Sequence, residues 1–235
     1  MPYHNIGRGV GRMMQEVLIG TLSMEILYSF VIIVCSLMIY FGTKELYELS
    51  GHKGLKYFRM TFLFFAVAYF FRSFIKIVIV YLGKQEIALV APILFGKLPI
   101  FLFMYFSIMA IFYLLYSVLY KKLKHDRIHL FHLASALIAA IIIFMGGNLV
   151  LILLINILLL IFIVYVVYLS YNQSKKKKTL NLYMIYFLLS VFWILNILDI
   201  LIPNVLQGFQ LLIYLASSGI FLMILYKVVK KTGAN

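Results

Sequence analysis

The sequence predicts an all-α membrane protein, a bundle of about seven transmembrane helices, and three observations support this fold class. Of the 235 residues, 65% are apolar and only 12% are charged, whereas globular proteins are about 45–50% apolar and about 25% charged. The mean hydropathy is correspondingly high, at +1.07. Apolar runs of about 18 residues or more recur along the chain, and such runs predict helices that cross a bilayer.

Seven runs are each long enough to cross about 30 Å of hydrocarbon as a helix. The predicted spans are 17–43, 55–82, 89–119, 128–147, 149–171, 179–202 and 206–229. The fourth and fifth spans are divided only by Gly146-Gly147-Asn148, a turn signal in an otherwise continuous apolar run. If that stretch were one bent element, the bundle would have six spans and both termini would lie on one side.

The spans divide the chain into a transmembrane domain and two short tails. We expect an extracytoplasmic tail over 1–16, the transmembrane domain over 17–231 and a cytoplasmic tail over 232–235. The first span is much longer than the apolar region of a signal peptide, and no small-residue cleavage pattern follows it. It is therefore expected to remain in the protein.

Positive charge is distributed unevenly over the predicted loops. Fifteen of the 21 Lys and Arg residues lie in 44–59, 120–127, 172–178 and the C-terminal segment, three lie on the opposite side, and three lie within spans. Because cytoplasmic loops carry an excess of Lys and Arg, the N-terminus is expected outside and the C-terminus in the cytoplasm of a cell-membrane protein. The same loops explain most of the net charge of +14 without a nucleic-acid partner, and they predict contact with anionic lipid headgroups of the bilayer.

Ionisable residues within the spans are the best pointers to a site, because each costs about 2.5–3.5 kcal/mol on insertion scales and usually faces the bundle interior. All five fall in the outer half of the predicted bundle: Glu25, Arg72, Lys76, Lys97 and Asp199. The spans also place four amides there, with one indole a turn further inward: Asn156, Asn196, Gln207, Gln210 and Trp193.

These ten residues predict an outward-opening polar pocket that binds a ligand. At 100° per residue, Arg72 and Lys76 share one face of the second span, and Asn196 and Asp199 share one face of the sixth. With three cations and two carboxylates, the pocket would favour a small anionic ligand, since an arginine suits fork-like recognition of carboxylate or phosphate. The alternatives are a closed ion-pair network that binds no ligand, and Arg72 and Lys76 side chains that extend only to the outer membrane interface.

The third span carries Pro92, Gly96, Lys97 and Pro99 near its outer end. Proline removes a helical hydrogen bond and clashes with the preceding turn, so we expect a kink or a break there. Such discontinuous helices occur at transporter sites, although prolines also kink helices for packing alone.

Several chemistries lack the residues that they need. His125, His129 and His132 share a helix face, but no carboxylate or further histidine at recognised spacing completes a metal site. Cys35, the one cysteine, cannot supply a thiolate cluster. A retinal Schiff base needs a lysine in the middle of the last span, but the one lysine of 206–229 is Lys227 at its cytoplasmic end. Hydrolase motifs are also absent. No catalytic residue, metal or cofactor is predicted, and an enzyme is disfavoured.

Two function classes remain open. The first is a ligand-responsive or sensory seven-helix protein that signals through a separate cytoplasmic partner. The segment 45–59, which mixes charge, histidine and glycine, is expected to be an ordered turn or a partner-contact site, and the alternative is an ordinary hairpin that carries topology charges. The second is a small-solute transporter or channel, supported by the broken third span and by charges on several helices. Because few polar residues continue into the inner half, the sequence favours the sensor.

Overall fold

The computed structural model describes the backbone of 3–90, 92–120, 128–146, 148–176, 182–201 and 207–232, and the side chains of 20, 22–78, 93–120, 128–146, 148–173, 182–201 and 208–230. This part of the chain is all-helical. The helices are α1 (Tyr3–Gly42), α2 (Lys44–Ser50), α3 (Lys53–Val90), α4 (Leu98–Leu119), α5 (Ile128–Phe144), α6 (Leu149–Lys176), α7 (Tyr183–Leu201) and α8 (Gln207–Thr232). A π-helical segment, Pro92–Lys97, precedes α4.

The predicted fold class is confirmed at the level of a multi-pass helical membrane protein. Within the described ranges, six helices are long and apolar enough to cross a membrane. The shorter α5 has 17 residues, which at 1.5 Å per residue reach about 26 Å. It is separated from α6 at Gly146, whose φ of 70° is a left-handed conformation that favours glycine. The seventh span and the orientation remain predictions.

The six long helices form a closed ring. Going round it, α1 packs against α3, α3 against α4, α4 against α6, α6 against α7, α7 against α8, and α8 against α1. Helix α5 lies outside this ring, against α4. The centre of the ring is therefore bounded by six helices, and it is where the polar side chains of the spans meet.

Helix α5 is attached to α4 by a histidine rather than by apolar contacts alone. The His132 ring lies between two tyrosines of α4, with Nδ1 2.7 Å from the hydroxyl of Tyr105 and Nε2 3.1 Å from that of Tyr113. His129 is exposed, and His125 lies outside the described residues. No cluster of three or more metal-binding side chains occurs among the described residues.

Two segments are more helical than their sequence predicts. The first helix already begins at Tyr3, and α3 continues to Val90 through the predicted loop 83–88. In that loop the helix-forming Lys84, Gln85 and Glu86 outweigh Gly83. The predicted irregularity in the third span coincides with the π-helical segment, where Pro92 lacks the amide hydrogen of a regular turn.

The segment 45–59 contains the expected turn at residues 51–52, between the end of α2 and the start of α3. A partner contact there stays a prediction. Helix α2 ends at Ser50 and is capped by Gly51, which has a φ of 60°, and α3 begins at Lys53. A methyl group on Gly54 would lie 2.7 Å from the carbonyl oxygen of Ser117, so the start of α3 packs directly on the end of α4. The Arg59 guanidinium donates to the carbonyl oxygen of Tyr40 at 3.0 Å, which holds α3 against α1. We call this end of the bundle the basic end, because it carries the lysine-rich predicted loops.

Candidate ligand-binding site

Arg72 joins three helices at the opposite end of the ring. Its Nε and Nη2 atoms are each 3.3 Å from Oε1 of Glu25 on α1, and Nη2 is also 2.8 Å from Oδ2 of Asp199 on α7. Its Nη1 donates to Oδ1 of Asn196 at 3.4 Å. The Arg72 side chain is only 15% exposed. Since a buried charge requires partners, the guanidinium holds α1, α3 and α7 together.

Lys76 extends the same network towards the surface. Its Nζ is 3.0 Å from Oε2 of Glu25, so both carboxylate oxygens of Glu25 are paired. The Lys76 side chain is 46% exposed, whereas that of Glu25 is 5% exposed. The described network thus contains two cations and two carboxylates, and their charges balance.

Three tyrosines surround the guanidinium. The hydroxyls of Tyr28 and Tyr69 lie 3.0 Å apart, and Tyr69 donates to Oδ1 of Asn196 at 2.8 Å. Arg72 lies 5.6 Å from the centroid of each of these two rings, and Tyr28 stacks on Tyr214 of α8 at 4.8 Å. These contacts bring α8 into the cluster. We call the charged residues, Asn196 and the three tyrosines the Arg72 network.

A cavity of about 370 Å³ adjoins the Arg72 network inside the ring. The Arg72 network contributes charged and polar side chains to the lining, while α4 and α6 contribute mostly apolar ones such as Phe103, Met104 and Ile152, together with Ser107 and Asn156. Trp193 also lines the cavity, and its indole donates to the backbone carbonyl of Asn156 at 3.1 Å, which links α7 to α6. A volume of this size lies within the range of small-molecule sites.

Four phenylalanines pack together inside the six-helix ring, on the side of the cavity that is nearer the basic end. Phe62, Phe65, Phe192 and Phe221 are buried, and their ring centroids lie 4.6–6.5 Å apart, for example 4.6 Å between Phe192 and Phe221. We call these four residues the aromatic layer. Phe65 is the member of the aromatic layer that also lines the cavity, so the two meet at this residue.

Most residues predicted for the pocket come together here. The cavity is lined by Glu25, Arg72, Lys76, Asn156, Trp193, Asn196, Asp199 and Gln210. Two are not part of this arrangement. The side chain of Lys97 is exposed on the π-helical segment and does not line the cavity. The side chain of Gln207 lies outside the described residues.

Lys97 changes the expected electrostatics. With this lysine outside the cavity, the predicted excess of positive charge is not found among the described lining residues, and Arg72 is already paired with two carboxylates. Sequence reasoning also missed Tyr28 and Tyr69 as members of the site. Their spacing was the available signal, because each lies three residues from a charged member on its own helix and so shares its face.

The chain is similar to a protein of Archaeoglobus fulgidus that is described as an uncharacterized protein. The two sequences are 30% identical over 210 residues, which cover 88% of this chain and 92% of the relative. No family model matches the chain, and no solved structure matches it. Any function must therefore be inferred from the geometry of the Arg72 network and its cavity.

Proposed function

Because the chain belongs to the family of the Archaeoglobus fulgidus protein, whose description names no activity, we propose a function from the site itself. The protein is a ligand-responsive membrane protein that binds a small molecule in the cavity and changes its helix packing in response. The observation that carries the proposal is a cavity of ligand size against a charged network that joins separate helices.

The Arg72 network explains how a bound ligand would change the helix packing elsewhere in the bundle. Arg72 connects α3 to Glu25 on α1 and to Asp199 on α7, and these contacts form one wall of the cavity. A molecule in the cavity that favours one arrangement of these contacts shifts the equilibrium between arrangements. Because the three helices are packed elements, a small change at Arg72 is transmitted along them.

Orientation and partners belong to the same proposal. The cavity opens to the outside, the basic end faces the cytoplasm, and α5 crosses the membrane as a seventh span. Anionic lipid headgroups contact the basic loops, and a separate cytoplasmic protein receives the signal. Of the predicted loop 120–127 the structure describes only residue 120, whereas α6 continues through residues 172–176 of the predicted loop 172–178. Single-cysteine labelling tests the orientation: with Cys35→Ala as background, Lys53→Cys should react with an impermeant maleimide only from the cytoplasmic side.

Two native side chains allow the binding and the response to be measured separately. Trp193 is the one tryptophan of the chain and lines the cavity, so its fluorescence reports occupancy. Cys35 is the one cysteine, is buried, and lies ten residues from Glu25 on α1, about 15 Å further along the helix. Its rate of maleimide labelling therefore reports a change in α1 away from the cavity.

The experiment titrates the purified protein in lipid nanodiscs with small alcohols, amines and carboxylic acids. The proposal expects that at least one compound changes Trp193 emission saturably and changes the Cys35 labelling rate over the same concentrations. A control variant detects partitioning of the compounds into lipid: Trp193→Phe combined with Leu154→Trp moves the tryptophan to an exposed position on α6. The emission of this tryptophan should not change saturably with compound concentration. If no compound changes Trp193 emission saturably, the proposal is wrong. Binding without any change at Cys35 refutes the response.

A small-solute transporter is the second candidate, and the π-helical segment Pro92–Lys97 favours it, since non-α backbone near a cavity is typical of transporter sites. The aromatic layer argues against it, because a solute would have to pass rings that are packed together. Uptake of a radiolabelled cavity ligand into proteoliposomes decides between them: uptake above that of protein-free vesicles supports a transporter, and binding without uptake supports the sensor.

A further inference from the structure

The chemical class of the ligand can be inferred from the lining of the cavity, on the condition that the proposed function holds. We propose that the cavity binds about 12–15 carbon atoms of hydrocarbon drawn from the bilayer, held by its fit to the walls and not through a polar head. This differs from the small anion that the sequence alone favours. Three properties support it: the bonding of the polar lining residues, the apolar remainder of the lining and the volume of the cavity.

The charged residues of the lining are turned towards one another. The Nε, Nη1 and Nη2 atoms of Arg72 all have partners, and both carboxylate oxygens of Glu25 are paired. Oδ2 of Asp199 accepts from Arg72, while Oδ1 of Asp199 is buried and so presents no surface to an occupant. A charged head would have to break these pairs and would add one unbalanced charge to a described network whose charges balance, at a large desolvation cost.

The uncharged polar residues of the lining are mostly bonded to the protein itself. The Asn196 side chain accepts from Tyr69 and donates to a backbone carbonyl oxygen of its own helix. The Asn156 amide nitrogen likewise donates to its own helix, and the backbone carbonyl oxygen of Asn156 accepts from the Trp193 indole. Ser107 adds one hydroxyl, which does not demand a polar occupant, since a helical serine can donate to the carbonyl oxygen of the preceding turn. The polar lining therefore gives little selectivity for a polar head.

The rest of the lining is hydrocarbon. Side chains of α4 and α6 contribute most of it, including Ile100, Phe103, Met104, Ile152 and Ile155. The surface that the cavity presents to an occupant is mostly apolar as a result. Water against these side chains gains few hydrogen bonds, so an apolar occupant is favoured over water.

The volume of the cavity sets the size of the occupant. An apolar cavity of about 150 Å³ holds one benzene molecule, so this cavity of about 370 Å³ holds about 12–15 carbon atoms. Hydrocarbon of that size dissolves in the bilayer and not in water, because the transfer free energy of each methylene group favours an apolar surrounding. Since lipid chains are themselves apolar, the gain on binding comes from filling the cavity, and it depends on how well the occupant fits.

A series of alkylbenzenes from toluene to dodecylbenzene tests the inference on the unaltered protein. Binding is measured by Trp193 emission in nanodiscs of zwitterionic lipid, with each affinity expressed per mole fraction of probe in the bilayer. We expect the tightest binding from hexylbenzene to nonylbenzene and about tenfold weaker binding of dodecylbenzene, because overpacking is costly. Phenylhexanol, phenylhexylamine and phenylhexanoate carry a similar body with a polar head, and none of them should bind more tightly than hexylbenzene.

A substitution in the wall should change the preferred length. Ile108 of α4 lines the cavity, and Ile108→Ala removes part of the wall, so the preferred probe should lengthen by about three carbon atoms. The matched control is Ile111→Ala, the same change at a comparably buried residue of α4 that is not among the described lining residues, and it should leave the preferred length unchanged. If Ile108→Ala does not fold, the length series on the unaltered protein still decides the question.

Two sources could supply the hydrocarbon: a free molecule in the bilayer or the acyl chain of a lipid. Nanodiscs of lipid with brominated acyl chains distinguish them, because bromine quenches tryptophan emission at short range. If a lipid chain occupies the cavity, it quenches Trp193, and hexylbenzene reverses the quenching saturably. If the cavity takes a free molecule, the emission of Trp193 before hexylbenzene is added is the same in brominated and unbrominated lipid.

The outcomes separate this inference from the proposed function. Tighter binding of the alcohol, the amine or the acid than of hexylbenzene overturns the apolar ligand while leaving a ligand site in place. Affinity that rises steadily to dodecylbenzene, or a preferred length that Ile111→Ala shifts as much as Ile108→Ala does, overturns recognition by fit. If none of the alkylbenzenes binds saturably, this inference is wrong, and if the panel of small alcohols, amines and acids also fails, the proposed function falls with it.

Discussion

Replacing Arg72 by methionine should destabilise the bundle strongly, and a second substitution should reverse most of the loss. Arg72→Met leaves Asp199 without its cationic partner, while Glu25 keeps Lys76. The Asp199 side chain is 12% exposed, so its charge stays desolvated. Removing one partner of such a pair costs about 3–5 kcal/mol, whereas replacing both with apolar side chains is often neutral. Adding Asp199→Leu should therefore restore most of the free energy of unfolding.

The assay is reversible unfolding in mixed micelles, followed by far-ultraviolet circular dichroism so that the readout does not depend on Trp193. The matched control is the exposed pair Lys44–Glu48, whose side chains are 60% and 59% exposed. Lys44→Met should cost no more than about 0.5 kcal/mol, because exposed pairs at this spacing contribute little. The reasoning is refuted if Arg72→Met lowers the free energy of unfolding no more than the control does. It is also refuted if the loss in the double variant equals the sum of the losses in Arg72→Met and Asp199→Leu.

Three further outcomes follow from the packing of the bundle. Gly54→Ala should lower the free energy of unfolding by about 1–3 kcal/mol, because the added methyl meets the carbonyl oxygen of Ser117. The control is Gly219→Ala, at a helical position with open space around it, which should raise the free energy of unfolding by up to about 1 kcal/mol in the same assay. Gly51→Ala should cost about 1 kcal/mol, since its φ of 60° disfavours a side chain, and a measured gain in stability would contradict this. His132→Phe should cost about 1 kcal/mol through two lost hydrogen bonds and should speed amide hydrogen exchange in α5 but not in α7.

The helical membrane architecture could be predicted because hydropathy is summed over runs of about 20 residues, so no single residue decides it. Boundaries were less predictable. The loop expected over 83–88 is helical, since one glycine is a weak breaker among helix-forming residues. Likewise, hydropathy indicates that α5 is apolar but not that it lies outside the ring, because the ring order depends on contacts between distant parts of the chain.

The charged members of the site could be predicted because charge within a membrane span is rare and costly. The tyrosines were missed because tyrosine is also common at membrane interfaces, so that Tyr28 and Tyr69 were not distinguished from interfacial side chains despite their spacing from Glu25 and Arg72. Lys97 was assigned to the pocket from its depth in the span alone. Depth does not determine which way a side chain faces, and the Lys97 side chain is exposed on the π-helical segment.

The order of the partners along the chain has a consequence for synthesis and membrane insertion. Glu25 precedes Arg72 by 47 residues, so the α1–α3 hairpin can form its own ion pair soon after both segments are made. Asp199 follows Arg72 by 127 residues. Until α7 is inserted, the nascent chain carries one more cation than carboxylate at this depth, at a cost of about 2.5–3.5 kcal/mol on insertion scales. The last ion pair therefore forms only when α7 joins the bundle, so a product truncated before α7 retains an unpaired charge at this depth.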